Sequence, residues 1–247
     1  MKFFNSFRRK LFGSGFGKYL LYTFGEIILV VIGILLAISI NDHYAKDDQI
    51  KKNLESTRKI YQQMQIDSTE AANYIQYLDD LRETIKYLIA SEEERKEKKL
   101  KKPLSKVNRL ELFYDRDSDY INLSDLVAAQ IQNGDFASET YAQMLFNIQV
   151  DYSNDLRAIH KQEEIIQDNN KRFNSYLADN YTWYLNWSSH LNCDGDCSKF
   201  VRSDKRFDAM LALYSYEKTV KYQQRIQEFQ SHLNESMNKL RPILQKK

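Results

Sequence analysis

The sequence predicts an all-α chain, with one N-terminal transmembrane helix followed by an elongated antiparallel helical bundle. Three observations carry that reading. Across residues 41–247 the only glycines and prolines are Gly134, Gly195, Pro103 and Pro242, whereas the tight turns of a sheet protein need such residues repeatedly. The stretch Leu20–Ile40 reads LLYTFGEIILVVIGILLAISI, about 31 Å as a helix, which matches a hydrocarbon core about 30 Å thick. The remaining chain repeats apolar residues at steps of three and four, the spacing of a helix face.

Charge is divided along the chain. The net charge is +2, but Lys2, Arg8, Arg9, Lys10 and Lys18 precede the apolar stretch, with Glu26 the only acid before residue 41. The remainder is slightly acidic. It therefore has no broad basic field, and nucleic acid is not an expected partner. Basic residues before the span and Asp42, Asp47 and Asp48 after it predict a cytoplasmic N-terminus. The expected layout is a basic cytoplasmic tail over 1–18, a transmembrane helix over 19–41, and an extracytoplasmic bundle over 42–247. Cleavage as a signal peptide after Ala37-Ile38-Ser39 is the rival reading, and the long segment before residue 27 weighs against it.

Glu26 stands about 9 Å into the apolar run at the helical rise. Three readings are open for it. One is contact with a partner in the membrane, helped by Gly25 and Gly33 on roughly one face; another is an interfacial carboxylate reaching the headgroups; the third is a proton-linked site. Gly17-Lys18-Tyr19 followed by Gly25-Glu26-Ile27-x-Leu29-Val30-x-x-Gly33-Ile34-x-x-Ala37-x-x-Ile40-Asn41 resembles the N-terminal signature of a family of single-pass membrane proteins. That family is abundant in Bacteroidota-type Gram-negative bacteria and has no assigned activity. Its members often carry a tryptophan after the Asn, where His43 and Tyr44 stand here. The resemblance implies an uncleaved inner-membrane anchor and a periplasmic helical domain, and no chemistry.

Beyond the span, residues 41–90 predict one long helix, continuous with the membrane segment because no Gly or Pro separates them. Its stripe is Ile50, Leu54, Thr57, Tyr61, Met64, Ser68, Ala71, Ile75, Leu78, Ile85 and Leu88. The charge run 92–102, closed by Pro103, reads as a solvated helix end or loop. In the irregular stretch 104–136, Ser124 is a candidate cap for a short helix stopping at Gly134. Asp115, Asp117 and Asp119 fail the EF-hand pattern, since Tyr120 and Leu126 occupy its Gly and Glu positions. A second long helix is expected over 138–186, with Ser138 as cap and an apolar face of Tyr141, Leu145, Ile148, Tyr152, Leu156, Ile159, Ile166, Phe173, Leu177 and Tyr184; a third is expected over 204–241, with Asp204 as cap and a face of Phe207, Leu211, Tyr214, Ile226, Phe229, Leu233 and Leu240. Long helices joined by short loops pack up and down.

Cys193 and Cys197 are the only cysteines. Outside the cytoplasm a disulfide is the first reading, with free thiols or a metal half-site including His190 as alternatives. Trp183, Tyr184 and Trp187 form a candidate recognition cluster, or bundle-end packing. His43, His160, His190 and His232 belong to no HExxH motif, and no GxSxG, Walker or GxGxxG motif occurs. No catalytic residue, metal or cofactor is expected. The expected partners are the lipid bilayer and another membrane protein, or a second copy through the membrane helix. The expected role is a scaffold or accessory subunit, with an extracytoplasmic sensor or ligand-binding bundle as the alternative.

Overall fold

The computed structural model describes residues 15–100, 109–113, 120, 121, 123, 125–132, 139–190, 192, 193 and 195–245. The expected caps Ser124 and Ser138, the stop at Gly134, the Asp115–Asp119 run and the tail before residue 15 lie outside those residues. The described residues are helical with no strand, so the chain is all-α. They form α1 (Gly15–Ile89), α2 (Glu92–Glu97), a 3-10 turn (Glu111–Phe113), α3 (Leu126–Gln132), α4 (Glu139–Asn180), α5 (Trp183–His190), α6 (Gly195–Ser203), α7 (Lys205–Tyr216), a π-helical segment (Glu217–Tyr222) and α8 (Gln223–Gln245).

The chain divides into two compact units, Met1–Asn53 and Leu54–Lys247. In the first, the apolar run of α1 has a mean hydropathy of 2.5 and none of it is buried. It is long and apolar enough to cross a membrane. With no core of its own to enter, this run differs from the buried helix of a soluble domain.

The second unit has one core, built from all of its long helices. α1 contributes Ile60, Met64, Ala71, Leu78 and Ile85; α4 contributes Leu145, Ile148, Tyr152, Ile159, Ile166, Phe173 and Leu177; α7 and α8 contribute Phe207, Leu211, Ile226, Phe229, Leu233 and Leu240. The expected faces of the second and third long helices are therefore the buried ones. On α1 the stripe is shifted in places: Ile60 and Asp67 are buried, while Ile50 is 60% exposed. The expected second helix is interrupted at Tyr181–Thr182, where α4 gives way to α5. Ser91 ends α1 and starts α2 through a reciprocal capping box with Glu94, which closes two otherwise unpaired N–H groups. Asp204 caps α7 by accepting from the Arg206 N–H at 2.8 Å, as its position implied.

Side-chain pairs fix the directions of the helices. Thr57 bonds Tyr141, and Asp67 accepts from Tyr152 at 2.7 Å, so α1 and α4 run parallel. Gln230 reaches the Ser68 carbonyl at 3.2 Å while Arg82 bonds Thr219, so α8 runs against α1. His232 meets Asp155 and Gln162 meets Glu217, so it also runs against α4. The return between the two parallel helices falls to the stretch between α2 and α4. Phe113 packs 4.3 Å from Phe173 by ring centroids, near the C-terminal end of α4. The Ile121 N–H then reaches Tyr222, and α3 lies along α4. The up-down alternation is kept only when this crossover counts as a run.

Ile60→Ala is expected to lower the unfolding free energy by about 2–5 kcal/mol, the range for a buried aliphatic truncation. Ile50→Ala, at an exposed position, is expected to change it by less than about 0.5 kcal/mol. Urea denaturation of both variants beside the parent measures the difference.

Candidate functional site

Three groups of residues are candidates for function. The first is on the membrane segment. Gly25, Glu26 and Gly33 sit in an exposed stretch of α1. A Cβ built on either glycine meets nothing within 4 Å, so the backbone there is open to close approach by another helix.

The second group closes the bundle end formed by α5, α6 and the last turn of α4. Cys193 and Cys197 are joined by a disulfide with their Cα atoms 5.2 Å apart. The bridge ties the loop to the start of α6, and the Ser198 hydroxyl donates to the Cys193 carbonyl at 3.1 Å. With both thiols in this bond, His190 has no thiolate partner. Among the described residues no group of three His, Cys, Asp or Glu is placed to hold a metal ion. The aromatic cluster separates by burial. Trp187 is core, 2% exposed, with its indole N–H unpaired. Tyr184 and Trp183 are half-buried against that core. Trp183 also stacks at a tilt on Tyr181 and Phe200, with centroids at 5.3 and 5.6 Å. Together with Tyr181 and Phe200 it lines a cleft of about 400 Å³ that also takes in Asp196, Lys199 and Asp204. Burial and the neighbouring Tyr176 push the Tyr181 phenol up to about 12, so it keeps its proton at neutral pH. Of the three, Trp187 is buried at the bundle end, while Trp183 and Tyr184 are half-buried against the core.

The third group was not foreseen from the sequence. It is a buried polar seam centred on the π segment. Lys218 is 1% exposed, with its ammonium 3.7 Å from the centre of the Tyr120 ring and 5.2 Å from that of Tyr222. The Tyr222 hydroxyl donates to Glu163 and accepts from the Ile121 N–H at 3.2 Å. Burial, then the nearby Tyr74 and Glu163, hold the Tyr222 phenol far above its ordinary value. Burial also raises the Glu163 carboxyl, outweighing the Tyr222 hydrogen bond. On the other side Arg82 of α1 donates to the Thr219 carbonyl and to Gln223. Gln223 in turn donates to Asp79 at 2.9 Å. A π turn widens the helix and misaligns its own carbonyls, and Arg82 satisfies one of them.

Tyr214, Lys218, Thr219, Tyr222, Gln223 and Ile226 are all buried, so the π segment carries the buried face onward while polar side chains interrupt the apolar stripe between Tyr214 and Ile226.

Comparisons with models of known families, with curated proteins and with solved structures find no match for this chain.

Two variants test these arrangements. Tyr222→Phe removes the hydrogen bonds to the half-buried Glu163 carboxyl and to the buried Ile121 N–H and is expected to cost about 1–3 kcal/mol in urea unfolding. His232 accounts for a pH dependence. Its hydrogen bond to Asp155, at 2.8 Å, raises the imidazole above 6.5, while burial raises the Asp155 carboxyl against that attraction. A raised histidine contributes stability in full below the unfolded value near 6.5 and loses it as pH climbs through the folded value. Because His232 is 52% exposed, the contribution is expected to be at most about 1 kcal/mol. Urea midpoints measured between pH 6 and 8 should fall with rising pH in the parent, and should flatten in His232→Gln.

Proposed function

We propose that this chain is a non-enzymatic, membrane-anchored scaffold or accessory subunit of a membrane complex. Residues 19–41 cross the inner membrane once, residues 1–18 lie in the cytoplasm, and residues 42–247 form a periplasmic bundle. The basic residues before the span support that orientation, and so does the resemblance of the Gly25–Asn41 pattern to the single-pass family.

One observation carries the reading: a carboxyl group, Glu26, at the edge of an otherwise apolar and wholly exposed helical run. An acid within the hydrocarbon costs up to a few kcal/mol, less toward the edge. A basic or hydrogen-bonding group on a partner helix removes that cost, and Gly25 and Gly33 leave room for the helix to come close. The polar groups of the bundle core support the same conclusion. Lys218, Tyr222, Glu163 and Arg82 are engaged with one another and with the backbone, which suits a structural seam.

A second reading, a ligand-binding bundle, has its own observation in the cleft beside Trp183. It needs no activity from the bundle and is compatible with an anchor.

Native membranes carrying the tagged full-length chain, solubilised in mild detergent, are expected to yield a stoichiometric membrane partner by mass spectrometry. Glu26→Gln keeps the size of the side chain and removes its charge, and should lower recovery of that partner at least about tenfold, a loss equivalent to about 1.4 kcal/mol. Equal recovery in parent and variant would remove Glu26 from the interface.

A further inference from the structure

We infer that the cleft beside Trp183 binds a neutral saccharide of one or two rings, stacked on Trp183 and hydrogen-bonded by the polar face of α6. This deepens the ligand-binding reading and rests on it.

The cleft is built from three elements. α4 ends at Asn180, and the break at Tyr181–Thr182 turns the chain so that Tyr181 and Trp183 lie beside the buried ring of Phe200. Phe200 comes from α6, which also contributes Asp196, Lys199 and Ser203 to the lining. Those four positions lie at intervals of three and four, so they share one helix face. The disulfide at Cys197 and the hydrogen bond from Ser198 hold the start of α6 in place, and at its far end the Asp204 N–H donates to the Phe200 carbonyl at 3.0 Å. A volume of about 400 Å³ falls within the range of small-molecule sites, about 300–1,000 Å³.

The chemistry of the lining selects the ligand. One wall is aromatic, and an aromatic face accepts the apolar C–H face of a ring molecule. The rim is polar and exposed: Asn180, Thr182, Asp196, Lys199 and Ser203 all face water. An apolar ligand would leave much of its surface wet there, whereas a polyhydroxylated ring can keep its outer hydroxyls solvated. Charge narrows the choice further. Lys199 opposes a lone organic cation, while Asp196 and Asp204 oppose an anion. A neutral ring with vicinal hydroxyls uses both signs, donating to the carboxylates and accepting from the ammonium.

The full-length chain in nanodiscs of phosphatidylethanolamine and phosphatidylglycerol is free of sugar detergents. It contains two tryptophans, of which Trp187 is buried, so a change in emission on titration reports Trp183. The probes are maltose, cellobiose and N,N′-diacetylchitobiose, beside tetramethylammonium chloride and the dipeptide Gly-Phe. At least one disaccharide is expected to give a saturable shift whose midpoint does not move with added NaCl, as for an uncharged ligand. Asp196→Asn, on the exposed rim where folding is not at stake, is expected to weaken binding about fivefold. Trp183→Ala, followed by calorimetry and with helicity checked by circular dichroism, is expected to abolish it. Saturation by tetramethylammonium or the dipeptide without any disaccharide response overturns the saccharide class and leaves the ligand-binding reading standing. Silence from every probe overturns both. Disaccharide binding that survives both substitutions places the site elsewhere and overturns the assignment.

Discussion

The bundle depends on one wedge. Phe113, on a three-residue 3-10 turn, is buried among Phe173, Phe207 and Tyr214, with ring centroids at 4.3, 5.9 and 5.3 Å. Because α1 and α4 are parallel, the chain must travel back along the bundle between them, and Phe113 holds that return run against the ends of two other helices. Val127 and Ile131 continue the contact on α3. An aromatic side chain gains several kcal/mol on burial, enough to secure a segment with little regular structure of its own.

Polar chemistry in the middle of the bundle sets register where apolar packing alone would tolerate slippage. Lys218 between two tyrosine rings, Tyr222 between Glu163 and the Ile121 N–H, and Arg82 on the Thr219 carbonyl each join different runs. A buried ammonium left without partners would be costly, and so would a buried carboxyl. Any shift of α7–α8 by one turn would separate several of these pairs at once. Such groups stabilise less than well-packed aliphatics would, but they discriminate sharply between the native packing and its neighbours. Asp67, 1% exposed and held by Tyr152 and Gln63, does the same nearer the start of the bundle.

Much of this was legible in the sequence. The steps of three and four along Leu145, Ile148, Tyr152, Leu156 and Ile159 mark the buried face of α4 because the helix repeats every 3.6 residues. The Asp204 cap follows from the preference for a side-chain acceptor ahead of the first turn. The crossover was not legible. Short loops were expected between long helices, and periodicity reports which face is buried without saying which helix buries it. The parallel pairing of α1 and α4 is settled by contacts between residues about 85 positions apart. Lys218 escaped for a different reason, since lysine is normally assigned to the solvent side and the ring its ammonium lies nearest, Tyr120, comes from a run distant in sequence. At the bundle end the sequence showed a cluster of aromatics and two cysteines, but not that Trp187 is buried while Trp183 stays half-buried, because a break after Asn180 decides it.

The hydrogen bonds from Arg82 to Thr219 and Gln223 join residues separated by 137 and 141 positions. A ribosome adds about 5–20 residues each second, so on the order of ten seconds pass between the synthesis of α1 and that of its last partners. During that interval Ile60, Met64, Leu78 and Ile85 have no α8 to cover them. α1 is made well before the helices that complete its packing, and a newborn chain therefore presents an uncovered amphipathic helix for many times longer than a helix needs to form. Cellular holdases that recognise such faces have their natural opportunity there, before the C-terminal helices arrive.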